Sequence, residues 1–462
     1  MGSSEPSNAS WSDRRLSRRS VLWAGVGLGT AVAGPVPSAA ATSSVDAHGA
    51  AGPSAFPATL AREWVQAVYD LTWHDDVATP LGTTPPNAAR CYAYVVLGMF
   101  EAVVAGDRSL LSTGGHLDGV GRVPVPRGRV DWPVAMAQSA HDVARHVHAR
   151  MAPQRLDELT VLRDAHVAAR RRAGIPEPVL RRSLAHGTAV AAVVARRADT
   201  DGYDAVRGLP YTPPVGPGLW ESTPPNFRRA IEPYWARVRP LALTAPDAAA
   251  PDPHLPFDTA PGSPFWEQAA ATYRQSSLNT DEERAIARFW TDNPLLSGLP
   301  SGHWLLLVCQ AAEQHGLDLA RTLEALVHTG VALHDAFLSC WAHKYTANLV
   351  RPVTYVNRYI DPTWTTFVNT PQFPEYPSGH SVASMAAATV LTDLLGPLPV
   401  LDDSHRDRSL PARRFASFED AALEAARSRI YGGIHYPMGV EGGLAHGTAV
   451  GSLVVRRLRT RR

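Results

Sequence analysis

From Leu60 onward the apolar residues recur at helical spacing, and the runs are cut by Pro- and Gly-rich breaks rather than by strand-like alternation. Leu60 to Trp73 is amphipathic, and after a break at Pro80, Gly82, Pro85 and Pro86 an apolar helix is predicted from Asn87 to Val104. A Gly-rich loop over 110–131 leads to three further helices, Val134 to Met151, Gln154 to Ala173 and Pro176 to Ala198. His141, His146, His148, His166 and His186 read as solvated positions on their polar faces. Fourteen prolines from Pro210 to Pro264 exclude long helices, so 202–264 is a long loop or crossover, functional or wrapped over the surface. Helical text resumes over Ser263 to Ser277, Asp281 to Asp292, His303 to His315, Leu317 to Leu326 and Val331 to Leu349, then over Ser381 to Leu395 and Phe418 to Ile430. The pattern predicts an all-α fold.

Composition changes the picture mainly by exclusion. Across 462 residues Lys plus Arg number 44 against 43 Asp plus Glu, a formal charge of +1. No surface field argues for nucleic acid or an anionic membrane, so an anion must be bound locally. Cys91, Cys309 and Cys340 have no CxxC spacing and support neither a zinc module nor a disulfide framework, although one pair could bridge. At the N-terminus Ser17-Arg18-Arg19-Ser20-Val21-Leu22 fits a twin-arginine export pattern, followed by an apolar stretch to Ala33 and the small residues Ser38-Ala39-Ala40-Ala41. That stretch is short and Gly-rich for a span, and no later segment has about 18 consecutive apolar residues. The expectation is a signal peptide over 1–41, a linker over 42–57, an N-terminal helical half over 58–201, the Pro-rich crossover, and a C-terminal bundle over 265–462. The mature protein would be secreted without a stable membrane span; an uncleaved anchor is the alternative.

Three places carry candidate chemistry. Pro377-Ser378-Gly379-His380 sets a hydroxyl, a bare amide and an imidazole at a helix start, where unpaired N–H groups and the helix dipole favour an anion. Read singly, Ser378 is an ordinary N-cap. Lys344 and Arg351 are seven residues apart; on a continuous helix ended by Pro352 they share a face, about 10 Å apart along the axis. Two cations in an apolar segment are costly unless an oxyanion joins them. Ser428-Arg429 ends a later helix, and Gly432-Gly433 turns the chain into His435.

Taken in order, Lys344-x6-Arg351-Pro352, Pro377-Ser378-Gly379-His380 and Ser428-Arg429-x5-His435 resemble the three-part signature shared by vanadium-dependent haloperoxidases and type 2 phosphatidic acid phosphatases. Asp335-Ala336, Trp341, Phe373-Pro374-Glu375-Tyr376 and Pro85-Pro86-Asn87-Ala88-Ala89-Arg90 resemble the bacterial haloperoxidases in particular. The resemblance implies two helical bundles, the C-terminal one holding an oxyanion, here vanadate. It implies His435 as the vanadium ligand. Lys344, Arg351, Arg429, Ser378 and the Gly379 amide would hold the vanadate oxygens, and His380 would act as acid–base partner to hydrogen peroxide. Lys344 would also polarise the activated oxygen. Each cation–oxyanion contact at about 4 Å is worth on the order of 4 kcal/mol at an effective dielectric of about 20, before desolvation. Halide would be oxidised to a hypohalite equivalent that halogenates a small organic acceptor, with Phe373 in the halide pocket pointing to chloride competence.

The family pattern continues His-x3-Asp, whereas this chain has Gly439. Glu441, two residues on, and Asp292, as partner of an arginine, are the candidate supporting carboxylates. Two other functions stay open on the same residues. One is an acid phosphatase working on phosphate through a phospho-histidine at His435; the other is a degenerate relative that only binds anions.

Overall fold

In this computed structural model the described residues are 51–73, 83–225 and 227–462. The expected signal peptide, the linker up to residue 50 and the break at Pro80 and Gly82 lie outside them. The N-terminal helices follow the predicted periodicity closely: α1 (Thr59–Trp73), α2 (Pro85–Val103), α3 (Trp132–Val147), α4 (Pro153–Arg172) and α5 (Glu177–Asp199). Side-chain caps from Thr84 and Asp131, with Pro at the first positions, start α2 and α3. Among its described residues the crossover holds one short α-helix, α6 (Tyr203–Val206), and a 3-10 turn at Trp235–Arg237. Beyond it come α7 (Pro264–Ser277), α8 (Asp281–Phe289), α9 (Leu299–Gln314), α10 (Leu319–Ala347), α11 (Pro352–Tyr359), α12 (Gly379–Leu395), α13 (Phe418–Tyr431) and α14 (Pro437–Arg457). The fold is helical, as expected. Among the described residues the sheet is confined to β1 (Val400–Asp402) paired antiparallel with β2 (Arg413–Phe415).

The centre of the core is α10, 29 residues long and buried along almost its whole length. The pattern predicted two helices here, broken between Leu326 and Val331. The helix runs through because Gly330 is a contact point rather than a stop: a Cβ there would come within 2.6 Å of Val96 Cγ2 on α2. The segment Pro85–Gly106 is long and apolar enough to cross a membrane, but 94% of its apolar window is buried inside the fold, where it forms the other half of this core. Asp335, midway along α10, accepts hydrogen bonds from the amides of Leu241, Ala242 and Leu243 at 2.8, 2.7 and 2.7 Å. That carboxylate pins the Pro-rich crossover to the core.

Four of the five histidines expected on solvated faces are buried: His141, His148, His166 and His186, while His146 is exposed. Each buried ring finds a polar partner, such as Thr160 and Asp142 for His141, the Ala144 carbonyl for His148 and Glu63 for His166. Periodicity registers hydrophobicity and misses such local satisfaction. All three cysteines are buried, and none is in a disulfide.

Helices α11 and α14 have no counterpart in the pattern. The text of α14 is rich in glycine, a poor helix former. Its glycines at 443, 447 and 451 recur every fourth residue and line the face against α12, where added Cβ atoms would meet the carbonyls of Ser378 at 2.9 Å, Val382 at 2.5 Å and Ala386 at 2.9 Å. The close approach holds the helix that starts at Gly379 against the one that follows His435. Replacing Gly447 with Ala improves helix propensity by up to about 1 kcal/mol, but overpacking against backbone costs about 1–3 kcal/mol. The expected net effect of Gly447→Ala is destabilisation, read as a lower midpoint in chemical denaturation.

Candidate active site

Lys344 sits in the last turn of α10, which ends at Ala347, with Asn348 in the left-handed region at φ 45°. The two residues that follow are clamped between backbones. Trp220 donates to the Asn348 carbonyl at 2.8 Å and Val350 to that of Gly218 at 2.9 Å, while Glu375 donates to the Leu349 carbonyl at 3.0 Å. Arg351 is therefore the N-cap of α11 rather than a residue on the face of Lys344's helix. Pro352 starts α11 at its first turn, where a missing N–H costs nothing. The helical-spacing argument for the two cations fails; the left-handed turn and the clamped strand bring them together instead.

Ser378 caps α12, its hydroxyl accepting from Ser381 N at 3.4 Å, and its own amide donates to the Gly439 carbonyl at 2.9 Å. A Cβ on Gly379 would meet only ordinary contacts, 3.5 Å from the Trp341 ring and 3.9 Å from Lys344 Cε, and Gly379 lines a cavity. His380 is half-buried, and its Nε2 has no hydrogen-bond partner. At the end of α13 Arg429 donates to Ser428 Oγ at 2.9 Å and to the Trp290 carbonyl at 2.5 Å. Gly433, at φ 76°, then turns the chain so that His435 faces Arg351, with Nη1 of the arginine 3.2 Å from Nε2 of the imidazole.

All three cations are 0–1% exposed. Backbone oxygens support them: Lys344 Nζ donates to the carbonyls of Pro374 and Glu375 at 2.9 and 2.8 Å, and Arg351 donates to those of Phe373 and Ile434, both at 2.8 Å. Nη2 of Arg351 has no partner. Burial, with repulsion from Arg351, pulls the Lys344 ammonium down to about 7. Burial likewise lowers both guanidinium groups to about 10. His435 and His380 are held well below the ordinary imidazole value by burial and by the neighbouring cations, so both are neutral near pH 7.

One functional carboxylate was absent from the sequence-derived set. Glu375, fully buried, takes His435 Nδ1 at 2.7 Å and the Tyr436 amide at 3.1 Å on the same oxygen. Burial pushes its carboxyl up to about 7, against the pull of Lys344 and Arg351. A Cβ on Gly439 would fall inside van der Waals contact of that carboxylate. Glu375 thus occupies the space that a side chain at position 439 would take, and Glu441 is exposed on α14. The available signal was an acid two residues before Pro377 in a chain with glycine at position 439.

Asp292, at φ 37°, lines the cavity; its charge favours the protonated form of Arg429, but its hydrogen-bond partners are not arginines. It accepts from Ser297 Oγ and from His303 Nδ1, both at 2.9 Å, and His303 Nε2 reaches Asp402 at 2.8 Å. Burial opposes charge on His303, yet the two carboxylates raise it to about 10, leaving an imidazolium between two aspartates. Burial opposes ionisation of Asp292 as well, but the neighbouring histidines hold its carboxyl well below the usual range.

Above these groups opens a cavity of about 590 Å³. Gly379, His380, His435 and Asp292 form its polar floor, and Phe337, Trp341, Phe373, Leu295 and Leu296 its apolar wall. Phe373 lies against Trp341 at 4.8 Å between centroids, with Lys344 Nζ and Arg351 Cζ 5.0 and 4.8 Å from its ring centre. Three buried cations and two neutral imidazoles beside this cavity make an arrangement chemically able to accept a multiply charged oxyanion, with room for a second reactant.

Residues 359–461 match the family model of the VCPO second helical-bundle domain. A solved structure described as the first bacterial vanadium-dependent iodoperoxidase is 33% identical over 88% of this chain and 97% of its own, with a TM-score of 0.81. The chain belongs to the vanadium-dependent haloperoxidases. Holo and apo structures of a bacterial vanadium-dependent chloroperoxidase share the fold at 16% and 15% identity, with TM-scores of 0.63 and 0.61. They cover 81% and 84% of this chain and 92% and 97% of their own. No curated protein matches the chain.

The family's oxyanion cradle has a testable pH signature here. A bound anion favours protonated Lys344, so affinity is full below the free-state value of about 7 and falls as pH rises through the higher value of the complex. The limit is about tenfold per pH unit for one linked proton. Sulfate, tetrahedral and of constant charge over this range, is the probe. Calorimetric affinity is expected to fall from pH 6 to pH 9, with Lys344→Met weaker at pH 6 and flatter in its dependence.

Proposed function

We propose that the protein is an exported vanadium-dependent haloperoxidase, using hydrogen peroxide to oxidise halide to a hypohalite equivalent that halogenates a small organic acceptor. The observation that carries this reading is a neutral, buried imidazole at His435 whose Nε2 lies within a ring of three buried cations. Vanadate fits the residues present. The site offers an unpartnered guanidinium nitrogen on buried Arg351 and an unpartnered imidazole nitrogen on His380, which lines the cavity together with Gly379. Positive charge there exceeds the negative charge of Glu375.

His435 would hold the metal through Nε2, with its other nitrogen tied to Glu375. Lys344, Arg351, Arg429, the Ser378 hydroxyl and the Gly379 amide would hold the oxygens. When bound, vanadate supplies a Lewis acid that activates peroxide oxygen toward halide. His380 is neutral, faces the cavity and has a free Nε2, so it is placed to take a proton from entering hydrogen peroxide. Lys344 brings a cation to the same floor and would polarise the oxygen being transferred. Phe373 and Trp341 give a halide a partly apolar wall with cations behind it. Export rests on the twin-arginine segment at Ser17 to Leu22.

Purified protein given orthovanadate, hydrogen peroxide and bromide or iodide is expected to halogenate a dye in a vanadate-dependent manner, with chloride tested alongside. His435→Ala should abolish vanadium binding, and His380→Ala should keep binding while losing most turnover. Undiminished activity in both variants would refute these roles, and aryl phosphate hydrolysis outpacing halogenation would mark a phosphatase instead.

A further inference from the structure

We infer that Glu375 is the positioning residue for His435, delivering from the loop ahead of α12 the carboxylate that position 439 would otherwise deliver from the first turn of α14. The inference deepens the proposed function and rests on its assignment of His435 as the ligand. Oε1 of Glu375 receives both His435 Nδ1, at 2.7 Å, and the Tyr436 amide, at 3.1 Å. An amide can only donate, so this oxygen acts as acceptor, and the shared geometry puts the imidazole proton on Nδ1. Nε2 is left with its lone pair, facing Arg351 at 3.2 Å and the cavity. A ligand nitrogen needs that lone pair.

The backbone of Glu375 is fixed from two sides. Its amide donates to the Leu349 carbonyl at 3.0 Å, and its carbonyl accepts from Lys344 Nζ at 2.8 Å. One residue therefore ties together the end of α10, the segment that delivers Arg351 and the ring of His435. The second carboxylate oxygen has no partner. A side chain on residue 439 would overlap Oε1 and lie 2.8 Å from Oε2, so the site has room for one carboxylate. Gly439 is then a consequence of Glu375, and the two positions are exchangeable. An aspartate there would sit in the first turn of α14, where the helix dipole favours an anion.

The test is a two-residue exchange read by orthovanadate affinity of the metal-free protein, by equilibrium dialysis, and by nitrogen-15 NMR of the His435 ring. Glu375→Ala is expected to weaken affinity by ~10- to 100-fold, the usual cost of removing an outer-shell partner of a metal ligand. Gly439→Asp alone should also weaken it, because two carboxylates then compete for one place. The double variant Glu375→Ala with Gly439→Asp should bind more tightly than either single variant, a recovery that loss of packing alone cannot produce. A double variant no tighter than Glu375→Ala, or wild-type affinity in Glu375→Ala, overturns the inference. Should the variants fail to fold, the wild-type ring decides it: an Nδ1–H tautomer supports the inference and an Nε2–H tautomer overturns it. Absence of vanadate binding by the wild type would count against the proposed function, while the ring tautomer would still decide the role of Glu375.

Discussion

Lys344, Arg351 and Arg429 are buried at 0–1% exposure, with Glu375 the carboxylate that reaches among them. Taking one ion from water into a protein interior costs several kcal/mol even after relaxation. Carbonyl dipoles offset part of that cost, and those of Phe373, Pro374 and Glu375 are turned inward onto Lys344 and Arg351 for this purpose. They leave an excess of positive charge and an unpartnered Arg351 nitrogen. A multiply charged oxyanion would complete the arrangement, and with the protein's net charge near zero its affinity would be built locally.

The rest of the fold serves to hold that unfavourable cluster still. Helix α10 is buried along almost its whole length, and Asp335 fastens the crossover to it. The crossover in turn supplies Gly218 and Trp220, which clamp the segment leading to Arg351. The glycine face of α14 lets the helix after His435 lie directly on the helix that begins at Gly379, and Ser378 reaches the Gly439 carbonyl across the contact. Behind the cavity, the pairing of Asp292, His303 and Asp402 fixes a negative charge near His380 and Arg429. Preorganised charge of this kind is what oxyanion chemistry requires.

Sequence made the helical class and the cradle residues legible for different reasons. Helical periodicity records burial on one face, which is enough for α1 to α5. Lys344, Arg351, Ser378, Gly379, His380, Arg429 and His435 follow a fixed order that the structure brings to one cavity floor and its surroundings. What periodicity could not show were features set by contacts distant in sequence. Gly330 reads as a helix break until Val96 is seen against it, and the glycines of α14 read as loop until α12 is laid beside them. Arg351 fell on the correct side of the site through a wrong argument, because a turn at Asn348 replaces the assumed helix. Glu375 is not legible because the family pattern points to a carboxylate just after His435, near Glu441, whereas the contact comes from 60 residues upstream.

On the function proposed above, the buried cations and His435 form one seat for a metal oxyanion. Crystals of the protein grown with orthovanadate test it most directly, through anomalous scattering from vanadium. The expected result is a single site at bonding distance from His435 Nε2, with oxygens on Lys344, Arg351 and Arg429 and the unpartnered Arg351 nitrogen engaged. Vanadium bound away from His435, or an empty cradle at saturating orthovanadate, would contradict it.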